Sequence, residues 1–234
     1  MAQPDYNVTE LDKKRMEIWG EEYSYDDMAT RIRRCVSWLK RAEEAAANDE
    51  DDQDAIFIFL WIAFNAAYGN KIFFEKSKSK KHDKAHSQFK EYFTQLAKLD
   101  KEKRIHNAIW GKINNRIRVF MDNEYVFEPF WKSQHGSVSD EQWKGMHQAR
   151  NKSFYHFLGK GSDTAEVLSF LFDRLYTLRN QLMHGGATCM GSLNRPQVRD
   201  GMNILAFLVP IFIDIMMDNS GEDWGELHYR PMPK

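Results

Sequence analysis

Apolar residues recur along this chain at spacings of three and four, the period of an α-helix that buries one face. Over 25–47, Met28, Ile32, Val36 and Leu39 form such a stripe, with Arg31, Arg33, Arg34, Lys40 and Arg41 on other faces. This predicts an amphipathic surface helix. An acidic break over 48–54 follows, and 55–68 then runs apolar through Ile56, Phe57, Ile58, Phe59, Leu60 and Trp61 to Gly69 and Asn70, as a largely buried helix would. Asn65 inside that stretch needs a hydrogen-bond partner if it is buried, so it is either a satisfied core amide or part of a site. Further helices are predicted over 85–99 and 101–122. A loop-like stretch with Pro129 occupies 124–135, where Tyr125, Phe127, Phe130 and Trp131 either stack on bases or pack a long connection onto the core. A less regular helix over 141–157 ends at Gly159-Lys160-Gly161, which lacks both the frame and the preceding strand of a phosphate loop. Nothing in the chain reads as a strand.

The clearest helix begins at Asp163, with Glu166 at capping-box spacing, and stops at Gly185 and Gly186. At 100° per residue, Val167, Leu168, Leu171, Leu175, Leu178 and Leu182 fall on one stripe, which is its core face. Asp173, Tyr176, Asn180 and His184 fall nearly opposite, and Arg179 lies at the border beside Phe172 and Met183. A polar row facing away from its own core is either solvated surface or a site completed by something else. The last apolar run, 204–213, is too short to span a bilayer, contains Pro210 and is followed by Asp214 and Asp218. It is apolar almost all round, so it must be covered on several sides, by its own domain or by a second subunit.

Composition narrows the picture only a little. A chain of 234 residues, 42% apolar and 29% charged, can bury a sizeable core, and one main domain is expected. The expected division is a polar N-terminal segment over 1–24, a helical domain over 25–219 and a tail over 220–234. A formal charge of -1 gives no overall field to hold a polyanion, so any nucleic-acid contact must come from a local patch. The lysine-rich stretch 71–90 is the candidate patch, or else simply a solvated connector. His82 and His86 are four apart there, but neither the H-E-x-x-H pattern nor an obvious third ligand accompanies them, and no metal or cofactor is expected. Cys35 and Cys189 show no metal spacing and fit a reducing cytosol. The first ten residues lack the basic-then-apolar order of a signal peptide, so a cytoplasmic protein without a membrane partner is expected.

The chemistry gathers at Arg179-Asn180-Gln181-Leu182-Met183-His184. An arginine binds a phosphate through paired hydrogen bonds, and a histidine exchanges a proton near neutral pH. Such spacing arises by chance about once in a chain with this much arginine and histidine, and Arg150-Asn151 with His156 is the chance match. What distinguishes the set at 179–184 is position. It closes a strong amphipathic helix, and His184 sits at the negative end of the helix dipole, which favours a positive charge there by ~0.3–1 kcal/mol.

Arg179, Asn180 and His184 match, position by position, the R-N-x-x-x-H hallmark of the HEPN superfamily, which the chain resembles. Leu175-Tyr176-Thr177-Leu178 before the motif and Gly185 after it are similar to the family's usual setting, and residues 60–69 resemble an earlier helix of some bacterial members. The resemblance spans about 25–219, with the aromatic middle region outside it. It implies an all-α helical bundle of the HEPN type with an irregular aromatic-rich insertion. It further implies a metal-independent endoribonuclease, in which His184 assists proton transfer as the 2′-hydroxyl attacks phosphorus to leave a 2′,3′-cyclic phosphate. Arg179 would stabilise the phosphorane charge, and Asn180 would orient a neighbour or the phosphate. The family's active members are homodimers with a shared cleft, many of them toxins or anti-phage effectors. The expected partners are therefore RNA, with tRNA among the candidates, a second copy of the chain, and an antitoxin or sensor protein. Two other readings stay open: a non-catalytic HEPN-type RNA- or protein-binding module, and a helical interaction module unrelated to nucleic acid.

Overall fold

A computed structural model describes residues 7–21, 26–49, 51–69 and 83–231, with the backbone alone over 83–88. Among these residues there are ten α-helices and no strand. They are α1 (Val8–Trp19), α2 (Asp27–Asn48), α3 (Gln53–Tyr68), α4 (Asp83–Leu99), α5 (Arg104–Asn107), α6 (Asn114–Asp122), α7 (Glu128–Gln134), α8 (Asp140–Lys160), α9 (Thr164–Met183) and α10 (Arg195–Asp218). The lysine-rich stretch up to residue 82, with His82, and the side chain of His86 lie outside the described residues.

Helix α10 is the axis of the bundle. It meets α1 to α6 and α9, which is why its sequence is apolar all round: its own domain covers it, and a second subunit is not needed to explain the pattern. By length and composition the segment Ser192–Asp218 could cross a membrane, yet 78% of its most apolar window is buried inside the protein. It is a core helix. Helices α3, α4, α9 and α10 meet in an aromatic hub around Phe64, whose ring lies 4.5 Å from Phe172 and within 6.4 Å of Phe93 and Phe212. Gly201 lets α10 approach closely, since a β-carbon there would come within 2.8 Å of Leu178 Cδ2 and 3.1 Å of the Phe57 ring.

Several expectations change on contact with the fold. Helix α1 lies within the stretch read as a polar N-terminal segment, where Val8 and Leu11 are buried against the core and Lys14 pairs with Asp214 and Asp218 of α10. Arg31, expected on an outer face of α2, is only 1% exposed. Its guanidinium donates to the Ala67 and Gly69 carbonyls at the end of α3 (2.9 and 2.7 Å) and to the Gly225 carbonyl (2.7 Å). A cation reaching the orphan carbonyls at a neighbouring helix's C-terminus satisfies groups that would otherwise be buried without partners.

The stretch read as one helix over 101–122 is broken. After α5 the backbone widens into a π turn, Ala108–Lys112, before α6. Ile105, Ile109, Ile113 and Ile117 recur every four residues, a spacing that drifts around a 3.6-residue helix, and the wider turn keeps all four buried. The aromatic stretch read as an irregular insertion is also helical. A 3₁₀ turn, Glu124–Val126, leads into α7, whose second residue is Pro129, a position where the missing N–H has no partner to lose. Helix α8 passes through Gly145 and Gly159 and is opened by a complete capping box between Ser139 and Gln142.

Candidate functional site

The last turn of α9 and its cap carry all three motif residues. Asp163 caps the helix by accepting from the Glu166 N–H, but Glu166 sends its own carboxylate to Lys90 instead of closing the box. At the other end the His184 N–H donates to the Asn180 carbonyl (3.1 Å), and Gly185, at φ 72°, turns the chain so that the Gly186 N–H reaches the Gln181 carbonyl (2.8 Å). Only a residue tolerant of positive φ allows this stop directly after His184.

Arg179 is half-buried, and its Nη1 donates to Asn180 Oδ1 at 3.0 Å. Its Nε is buried and has no partner among the described residues. Beside it stand Tyr176 and Tyr68. Burial and the neighbouring Tyr176 push the Tyr68 phenol upward in pKa, against the opposing pull of Arg179. His184 is exposed, and its ring makes no hydrogen bond among the described residues. The local alternative, an imidazole spent on the last carbonyls of its own helix, is not what the geometry has. Asn180 and His184 are one turn apart on one face.

The rest of the polar row is not solvated surface. Asp173 accepts from Arg150 Nη2 of α8 (2.6 Å), and Tyr176 packs its ring on Trp61 and Phe89. The chance match is structural too. Arg150 stacks on Phe170 while paired to Asp173, and Asn151 is buried, accepting from Arg174 Nη2 (2.9 Å) and donating to Asp122 Oδ1 (3.2 Å). His156 is left exposed. Asn65 is half-buried. Among the described residues no group of three or more His, Cys, Asp or Glu could hold a metal.

The loop after His184 is tied back to the start of α3. The buried Asp54 carboxylate accepts from the Met190 N–H and from Arg195 Nη2, each at 2.7 Å. Met183 at the end of α9 and Met190 and Leu193 farther along the chain are exposed, Leu193 at 96%. Cys189 lies on the same loop, exposed, while Cys35 is in the core, where burial pushes its thiol up to about 12.

Two features escaped the sequence. Gln181 Nε2, from inside the motif, donates to the Tyr125 carbonyl at 2.6 Å, tying the aromatic stretch to the site. Arg174, one turn before Leu178, is buried with its guanidinium 4.1 Å from the Phe127 ring, and desolvation lowers its pKa to about 9. Only the fold, by bringing the 3₁₀ turn Glu124–Val126 and Phe127 after it against α9, makes either contact. Against known proteins, the chain matches no protein-family model, no curated protein and no solved structure.

Proposed function

We propose that this chain is a metal-independent endoribonuclease of the HEPN type, with Arg179, Asn180 and His184 as its catalytic residues. The observation that carries the reading is the exposed His184 ring, spent on nothing nearby, one turn from an amide that holds the Arg179 guanidinium. In the proposed reaction the 2′-oxygen attacks the adjacent phosphorus and the bond to the 5′-oxygen breaks. His184 moves a proton between these oxygens and solvent, leaving a 2′,3′-cyclic phosphate and a 5′-hydroxyl. Arg179 is aimed by Asn180 at the charge that builds on the non-bridging oxygens. None of these steps calls on a metal.

By the same resemblance, the biological setting is a toxin or anti-phage effector acting on RNA, transfer RNA among the candidates, in the cytoplasm. A second copy of the chain would complete the cleft, and a separate antitoxin or sensor would restrain it. The exposed Met183, Met190 and Leu193, at the end of α9 and on the chain that follows it, support a second copy.

The test is cleavage of RNA by the purified chain in excess chelator, with the new ends identified by mass spectrometry. Cyclic phosphate ends that vanish in His184→Ala, with the fold unchanged, are expected. Cleavage that stops on chelation, or that survives His184→Ala, refutes the assignment. RNA that is bound but never cut would instead favour the binding-module reading.

A further inference from the structure

Around α9, His184 falls between Asn180 and Gln181 at 100° per residue, so the Gln181 side is the flank of the site away from Arg179. That flank leads to two large exposed aromatic rings. The Tyr125 carbonyl accepts from Gln181 Nε2 (2.6 Å) and from the Trp131 indole N–H (2.8 Å), so one oxygen joins the motif helix to α7. Tyr125 and Trp131 remain 44% and 37% exposed, their ring centroids 6.4 Å apart. Phe130 packs edge-to-face against both, at 5.3 and 5.1 Å. These contacts set the positions of two rings that burial has not claimed and tie them to Gln181, in the turn of α9 that leads into His184.

We propose that Tyr125 and Trp131 form a stacking platform for an unpaired base next to the phosphate held at the motif, making single-stranded or looped RNA the substrate class. The cutting part of this statement rests on the ribonuclease reading; the platform itself does not. Every base has a π-face, so stacking needs neither net charge nor a particular sequence, which suits a chain of formal charge -1. In an A-form duplex the base faces are already stacked on one another, so paired RNA has nothing to offer these rings. Gln181 is the positioning residue that joins the two halves of the site.

The experiment uses the full chain and a short fluorescent 2′-O-methyl oligonucleotide, which cannot be cut, either single-stranded or annealed to its complement. Anisotropy titrations at several salt concentrations give affinity and salt slope together. The single strand should bind tighter than the duplex. Trp131→Leu and Tyr125→Leu keep apolar bulk without a π-face, and each should weaken single-strand binding by about 5- to 150-fold. Trp131→Phe should restore most of the loss. The salt slope should stay unchanged in these variants, since stacking releases no counterions, whereas Arg179→Ala should make it shallower by about one. Urea midpoints equal to that of the unaltered chain show that the fold is intact.

Unchanged affinity in Trp131→Leu, equal weakening for single strand and duplex, or an effect confined to oligomeric state would each overturn the platform. A chain that shows the stacking signature yet never cuts RNA loses the ribonuclease reading and keeps this one. A chain that cuts RNA while ignoring both rings does the reverse.

Discussion

The bond from Arg179 Nη1 to Asn180 Oδ1 joins consecutive residues, so it orients a guanidinium without ordering any further chain. A lysine at 179 would keep the charge but lose the planar fork that meets two phosphate oxygens at once. Arg179→Lys should therefore cut the single-turnover rate by about 10²–10³-fold, the usual loss when one transition-state donor is removed. Its unfolding free energy from urea titration should change by less than about 0.5 kcal/mol, as for a substitution that breaks no core contact. Equal losses of rate and stability would mean that Arg179 is a structural residue. That a strong helix stops at the motif was legible in the sequence, from its leucine stripe and the two glycines after His184. What Arg150 and Asn151 do was not. They carry the same residue types at a looser spacing, and only their partners, Asp173, Arg174 and Asp122, show that they are consumed in packing.

At the scale of elements, periodicity found the long helices, and most of what it missed lies where a neighbouring element decides the conformation. The π turn at Ala108–Lys112 is stabilised from outside, by the Trp110 indole N–H donating to the Leu158 carbonyl of α8 at 2.7 Å. Arg31 falls with four other cations off the apolar stripe of α2, and its true partners are backbone oxygens more than thirty positions away, which no local pattern reveals. Arg31→Met would fill the same space and leave those carbonyls unpaired. A loss of about 3 kcal/mol is expected from urea unfolding, given ~1.5–3 kcal/mol for a bond to a charged group. A loss below about 1 kcal/mol would mean that water replaces the guanidinium.

The contact of α8 with α9 also makes a pH prediction. The His147 ring of α8 stands edge-on to Phe127 and has a buried Nε2 without a partner among the described residues. Desolvation lowers its pKa from 6.5, and the Arg174 charge adds to this against the pull of Asp122. As pH falls, the unfolded chain takes up this proton before the folded one does. The stability His147 contributes is thus present above about pH 6.5 and is lost as pH falls through the lower folded value. Urea midpoints measured across that window should fall more steeply for the unaltered chain than for His147→Phe, and parallel curves would refute the assignment.

For the molecule as a whole, all-α architecture was legible, since the three-and-four spacing runs nearly end to end. The meaning of the apolar last helix was not, because a core helix and an interface helix demand the same composition. In the fold α10 is enclosed by seven helices of its own chain, so it gives no support to a dimer. If two copies meet, the surface must be sought elsewhere, and the loop at the end of α9, with Leu193 at 96%, carries the most exposed large apolar side chain among the described residues. Leu193 buries nothing in the single chain, and the cost of exposing it is relieved if a second copy covers it. Light scattering should then give the mass of a dimer, and Leu193→Asp should shift it towards monomer with little change in the urea midpoint, because no contact within the chain is lost. If the cleft is shared, cleavage should fall with the dimer fraction and recover as protein concentration rises. A Leu193→Asp chain that stays dimeric moves the interface away from this loop, and a monomer that cuts at the full rate shows that one copy of Arg179, Asn180 and His184 suffices.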